Sequence, residues 1–115
     1  MTTPDLPAGL VRLDPDAALA PDPDRPGELV SLQYVGDDDR LVAGTWSAGA
    51  GSVQIDAYPV DEICVVIEGS ITVDTSTSGS ETFRPGDAFA IRRGTPLTWS
   101  QTEGTRKIYV ILNNG

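Results

Sequence analysis

The sequence predicts an all-β chain, folded as a sandwich or a barrel. Three observations carry this. Short apolar runs recur at even spacing, no segment sustains a helical period, and Gly, Pro and Asp punctuate the gaps. A chain of 115 residues is one domain of ordinary size. Such a chain buries about two thirds of its unfolded surface, enough for a core without metals or disulfides.

Residues 1–28 read as an extended arm. Pro4, Pro7, Pro15, Pro21, Pro23 and Pro26 forbid a sustained helix and leave few apolar anchors. The barrel is expected over residues 29–115. Leu29 to Val35 is its first strand, closed by a Gly36-Asp37-Asp38-Asp39 turn. Three consecutive carboxylates cannot all point at one ion, so this run reads as a solvated turn. Leu41 to Trp46 follows, then Val53 to Tyr58, and then the strongly apolar Glu62 to Ile67. Ile71 to Asp74 and Glu81 to Phe83 flank a polar hairpin tip. Ala88 to Ile91, Leu97 to Gln101 and Lys107 to Leu112 complete about nine strands.

Composition excludes several functions. The formal net charge is −9, which argues against nucleic acid and against an anionic membrane surface. No apolar run approaches the ~20 residues that span a bilayer. The N-terminus shows no basic stretch leading into an apolar core, so a cytoplasmic location is expected. Cys64 is the one cysteine, and there is no histidine. That removes an internal disulfide, a thiolate metal site and every mechanism built on imidazole.

Two segments then carry a specific pattern. Glu62 runs through Ile-Cys-Val-Val-Ile-Glu to Gly69. Arg84-Pro-Gly86-Asp87 leads through a short strand to Gly94. In order, and in an all-β chain of this length, they resemble the two cupin motifs, which implies a single RmlC-like jelly-roll barrel. Gly69 and Gly94 are expected in tight turns, and Asp87 is expected to cap its own. Gly44-Thr-Trp46, Tyr58-Pro-Val-Asp-Glu62, Leu97-Thr-Trp99 and Arg106-Lys107-Ile-Tyr-Val resemble the small cupins related to (S)-ureidoglycine aminohydrolase. The resemblance spans about residues 40–112. It implies a metal held by three histidines and a glutamate. Asp56, Tyr58 and Leu97 stand at the histidine positions, and only Glu62 remains. Such a set suits zinc, nickel or iron poorly, so no metal and no cofactor is expected. The resemblance also implies a homodimer, since exposed strand edges need cover.

Strand alternation nominates the pocket. Glu62, Cys64 and Val66 should share one inward face; Gln54, Asp56 and Tyr58 another; Gly44 and Trp46 a third. Leu97, Trp99 and Gln101 should join them, with Lys107, Tyr109 and Ile111 from the last strand. Glu62, Tyr58 and Lys107 are the candidate catalytic residues. Trp46, Trp99, Asp56, Gln101 and Tyr109 are the candidate ligand contacts. A carboxylate on an apolar strand must be paired or have a raised pKa. Desolvation is expected to lift Glu62 towards neutrality, as a general acid/base requires. It can equally serve structure, bonded to Tyr58 or Lys107, and the tryptophans can be walls or plain core. Cys64 reads as an inert core thiol. Arg92 and Arg93 are placed at the rim. The expected partner is a small organic molecule, handled by a metal-independent lyase, isomerase or cyclase. A non-catalytic binding module and a metal-dependent aminohydrolase are the alternatives.

Overall fold

In the computed structural model, which describes residues 9–113, ten strands form two antiparallel sheets. The strands are β1 (Ala20–Pro21), β2 (Glu28–Val35), β3 (Leu41–Ala48), β4 (Gly51–Ile55) and β5 (Asp61–Glu68). They continue with β6 (Ile71–Thr75), β7 (Gly79–Phe83), β8 (Ala88–Ile91), β9 (Leu97–Gln101) and β10 (Thr105–Leu112). A six-stranded sheet has the order β1-β2-β3-β10-β5-β8. A four-stranded sheet has the order β4-β9-β6-β7. The expected all-β class is observed. The two sheets face one another without hydrogen-bonding into a closed cylinder, which corrects the barrel in that respect.

The core lies between the sheets. Cys64, Val66 and Ile91 from one meet Ile71, Val73, Leu97 and Trp99 from the other. Phe83 stacks on Phe89 with ring centroids 4.2 Å apart. Alternation explains the choice, since residues paired across a ladder point to the same face. Trp46 pairs Lys107, which pairs Val66; Gly44 pairs Tyr109, which pairs Cys64. All of these therefore point into the space between the sheets.

Turn chemistry follows the sequence. Gly69 closes the β5–β6 turn at φ +72, and an added Cβ would meet the Thr105 Cα at 2.8 Å. The Asp87 carboxylate accepts from the Arg84 amide at 2.9 Å, capping the turn before β8. Asp38 and Asp39 take left-handed φ values of 63 and 57, which Asp tolerates better than most residues.

The N-terminal segment is anchored by polar contacts to β2, β3 and β10. The Asp14 carbonyl accepts from Thr45 Oγ1 at 2.8 Å and from Gln33 Nε2 at 3.0 Å. Arg106 donates to the Pro15 carbonyl at 2.8 Å. Thr45 is fully buried beneath this segment, on the face of β3 opposite Trp46. The chain then reaches the sheet edge as β1, where Ala20 pairs Val30, and turns through residues 22–27 into β2. Among the described residues, no helix is long and apolar enough to cross a membrane.

Candidate functional site

Between the sheets opens a cavity of about 1160 Å³. Its floor is polar. Glu62 faces in from β5 and is only 6% exposed. Tyr58 donates to Glu62 Oε1 at 2.6 Å, and Lys107 donates to Oε2 at 2.6 Å. The Cys64 thiol also lies on Oε2, at 3.2 Å. Lys107 is 4% exposed. Its ammonium stands 4.8 Å from the Trp46 ring centre and 4.5 Å from that of Trp99. The two indoles are perpendicular, with centroids 6.2 Å apart. The lysine thus fills a cage of one carboxylate and two π faces, the surroundings that favour a desolvated cation.

Each indole is fixed from behind. Trp46 Nε1 donates to Glu28 at 2.7 Å. Trp99 Nε1 donates to Gln101 at 2.7 Å, and Gln101 Nε2 donates to the Gly49 carbonyl at 2.8 Å. Tyr58 lies on no strand. Its amide donates to the Thr95 carbonyl at 3.0 Å, and its carbonyl accepts from the Gly94 amide at 2.8 Å. The turn after β8 therefore holds the Tyr58 loop against Glu62.

At Glu62 and Lys107, burial and the contacts between these groups oppose one another. Burial pushes the Glu62 carboxyl up, but the Lys107 ammonium and the three hydrogen bonds outweigh it, so the group sits below the ordinary carboxylate range. This corrects the expected upward shift. Burial pulls Lys107 down, and the neighbouring Cys64 and Glu62, through charge and hydrogen bonds, hold it above its usual value. Tyr58 is raised, first by burial and then by the Glu62 charge. Near neutral pH the floor is a phenol, a carboxylate and an ammonium. Lys107, raised and bonded to Glu62 at 2.6 Å, is the cation of this floor.

Cys64 has no exposed surface, and burial pushes its thiol up to about 12. In the native protein it is expected to stay unreacted with a thiol-specific disulfide reagent at neutral pH, and to react fully in denaturant. Reaction at equal rates in both conditions would overturn that.

The candidate residues fall into two groups. Glu62, Tyr58, Lys107, Trp46, Trp99, Gln101 and Tyr109 all line the cavity. Asp56 does not. It is exposed beyond the end of β4, and Gln54 also faces away. The ladder gives the reason. Val53 pairs Trp99 and Ile55 pairs Leu97, so the odd-numbered residues of β4 face inward. The strand stops at Ile55, and the loop that follows resets the phase before Tyr58. Arg92 and Arg93 are exposed in their turn and do not line the cavity. The sequence reading missed one wall altogether. Asp22, Asp24 and Arg25 precede β2, and Glu28, Val30 and Leu32 alternate along it. That alternation was the available signal.

A divalent metal does not fit this floor. Both Glu62 oxygens are engaged, with an ammonium at 2.6 Å. Leu97 has no donor atom, and Asp56 points elsewhere. No group of three His, Cys, Asp or Glu that could hold a metal occurs among the described residues.

Residues 35–109 match the EutQ-like cupin domain, and the chain belongs to that family. No curated protein matches it. Among solved structures it is similar to the EutQ protein of Clostridium difficile, at 19% identity over 84% of this chain and 81% of that one, TM-score 0.63. It is similar to KdgF from Halomonas sp., at 18% identity over 87% and 91%, TM-score 0.66. It also resembles a DUF861-family protein of unknown function from Pseudomonas syringae pv. tomato, at 25% identity and TM-score 0.69. That match covers 86% of this chain and 46% of the other, so this chain spans under half of that protein. The first two likenesses establish the cupin fold alone.

Proposed function

We propose that this EutQ-like cupin handles a small organic molecule on a polar floor of Tyr58, Glu62 and Lys107, and that it moves a proton on that molecule as a lyase, isomerase or cyclase. One observation carries the reading: Glu62 bridges Tyr58 and Lys107 at 2.6 Å each, at the base of a large cavity. Glu62 is the proton acceptor, because its carboxylate form dominates near neutral pH. The Lys107 ammonium keeps Glu62 ionised at 2.6 Å, Tyr58 steadies the carboxylate through its hydrogen bond, and the protonated Glu62 returns the proton to the ligand. Trp46 and Trp99 serve as walls.

The same geometry supports a second reading. Three donors on one carboxylate make it a weak base, which suits a module that binds a metabolite without turning it over. Mass spectrometry of a metabolite extract incubated with the protein separates the two. Conversion of a species by the parent chain, abolished in Glu62→Gln, is the expected result. Recovery of a bound metabolite unchanged favours the module. Conversion that survives Glu62→Gln at full rate refutes the assigned role.

The likeness to (S)-ureidoglycine aminohydrolase cupins is retained for ancestry and not for metal chemistry. A homodimer is part of the proposal. The outward face of β5 and β10 presents Ile63, half exposed, and Leu112, and light scattering at the monomer mass would remove it.

A further inference from the structure

We infer that the cavity selects a neutral or cationic organic ligand bearing a hydrogen-bond acceptor, and that the wall formed by residues 22–28 does the selecting. The inference rests on the small-molecule reading above and names the ligand class that reading leaves open.

Tyr109 is the first ground. It is 8% exposed, lines the cavity, and its hydroxyl has no hydrogen-bond partner among the described residues. The other polar groups of the floor are satisfied: Tyr58 by Glu62, Glu62 by three donors, and both indoles by fixed acceptors. A hydroxyl that faces the cavity with no such partner is free to bond a ligand acceptor.

The charges around the cavity are the second ground. Lys107 and Glu62 cancel at contact. The remaining charged lining is Asp22, Asp24, Glu28 and Asp39 against Arg25 alone. No ion pair joins Arg25 to these acids among the described contacts. Asp24, Arg25 and Asp39 are exposed at the rim and Asp22 and Glu28 half-buried, so at low salt the acidic excess draws cations in and turns anions away. An anionic ligand could reach the Lys107 ammonium only by displacing Glu62, which would strand a buried carboxylate.

The source of this wall is the third ground. Asp22, Asp24 and Glu28 lie outside residues 35–109, the part matched by the family. Glu28 also sets the plane of Trp46 through the indole N–H. The stretch ahead of the matched domain therefore supplies both the excess negative charge and the anchor of one aromatic wall.

The test uses matched probes: phenylalaninol, phenylpropanediol and phenyllactate, each bearing a hydroxyl, and the same head groups on cyclohexyl and isopropyl bodies. Trp46 and Trp99 are the only tryptophans, so the two indole N–H resonances of the labelled protein report the cavity. The amino alcohols and diols are expected to shift them, with the hydroxy acids about tenfold weaker at low salt. Asp22→Asn with Asp24→Asn should remove most of the amino alcohol advantage and leave the diols unchanged. Tyr109→Phe should weaken the diols about fivefold, the loss of one hydrogen bond. Hydroxy acids binding as tightly as amino alcohols would overturn the selectivity while leaving the small-molecule reading intact. No shift from any probe would overturn both.

Discussion

Lys107→Met is expected to destabilise the fold by about 3–5 kcal/mol, the range for stripping one partner from a buried ion pair. A domain of this size has about 5–15 kcal/mol in hand, so the variant should still fold, with a much lower urea midpoint. The loss arises because Glu62 stays behind, 6% exposed, with only Tyr58 and Cys64 as donors. Neutralising it as well should help. Lys107→Met with Glu62→Gln keeps an acceptor for Tyr58 and buries no charge, so it should recover at least half of the loss. A single variant as stable as the parent would sink this account of the floor.

The pair also fixes the pH dependence. The Glu62 pKa is lowered in the fold, so its contribution is present above 4.5 and is lost as pH falls through the depressed value. The Lys107 pKa is raised, so its contribution is present below 10.5 and is lost as pH rises through the elevated value. The parent pair should therefore give a plateau across neutral pH with declines at both ends. In Lys107→Met the cation is gone and burial governs Glu62, so its carboxyl moves up. The variant should then gain stability as the medium is acidified below neutrality, where the parent stays level. Urea melts across that range read the sign directly.

The parts of this site legible in the sequence are those on long, regular strands. Glu62, Trp46, Lys107 and Tyr109 lie on eight-residue strands; β10 pairs β3 without a break and pairs β5 in one register from Lys107 onward, so period-two alternation holds across these residues. Asp56 was misplaced because β4 ends one residue earlier, and alternation has no meaning across a loop. The wall at residues 22–28 was hidden for a different reason. Its turn is closed by main-chain bonds, the Asp22 amide donating to the Glu28 carbonyl and the Glu28 amide to the Arg25 carbonyl, and such bonds leave little trace in residue types beyond the alternation along β2. The direction of the Glu62 shift was out of reach as well. Burial was visible from the apolar strand, but the competition between burial and three converging donors is a matter of ångströms.

Gly44→Ala is the second substitution expected to have a large effect, about 3 kcal/mol of destabilisation. Gly44 lies mid-strand in β3, between Tyr109 on β10 and Leu32 on β2. A Cβ there would overlap the Ser31 backbone carbonyl and stand 2.8 Å from the Tyr109 hydroxyl. Rotating a side chain cannot relieve the first clash, because the obstacle is main chain. β2 would have to lift from β3 beside its register shift between Leu32 and Tyr34, and β2 carries Glu28, the acceptor that fixes Trp46. The substitution should therefore lower the urea midpoint and also alter the Trp46 indole resonance. Gly51→Ala is the control. Its added methyl would approach a side-chain amide, Gln101 Nε2, at 3.0 Å and no main chain closer than 3.9 Å. The Gln101 side chain can give by a few tenths of an ångström, so the loss should stay below about 1 kcal/mol, with any resonance change confined to Trp99. Equal losses in the two variants would mean that the close approach of β2 to β3 does not hold the indole wall in place. A large loss in Gly44→Ala alone, with the Trp46 resonance moved, would tie the packing of these strands to the shape of the cavity.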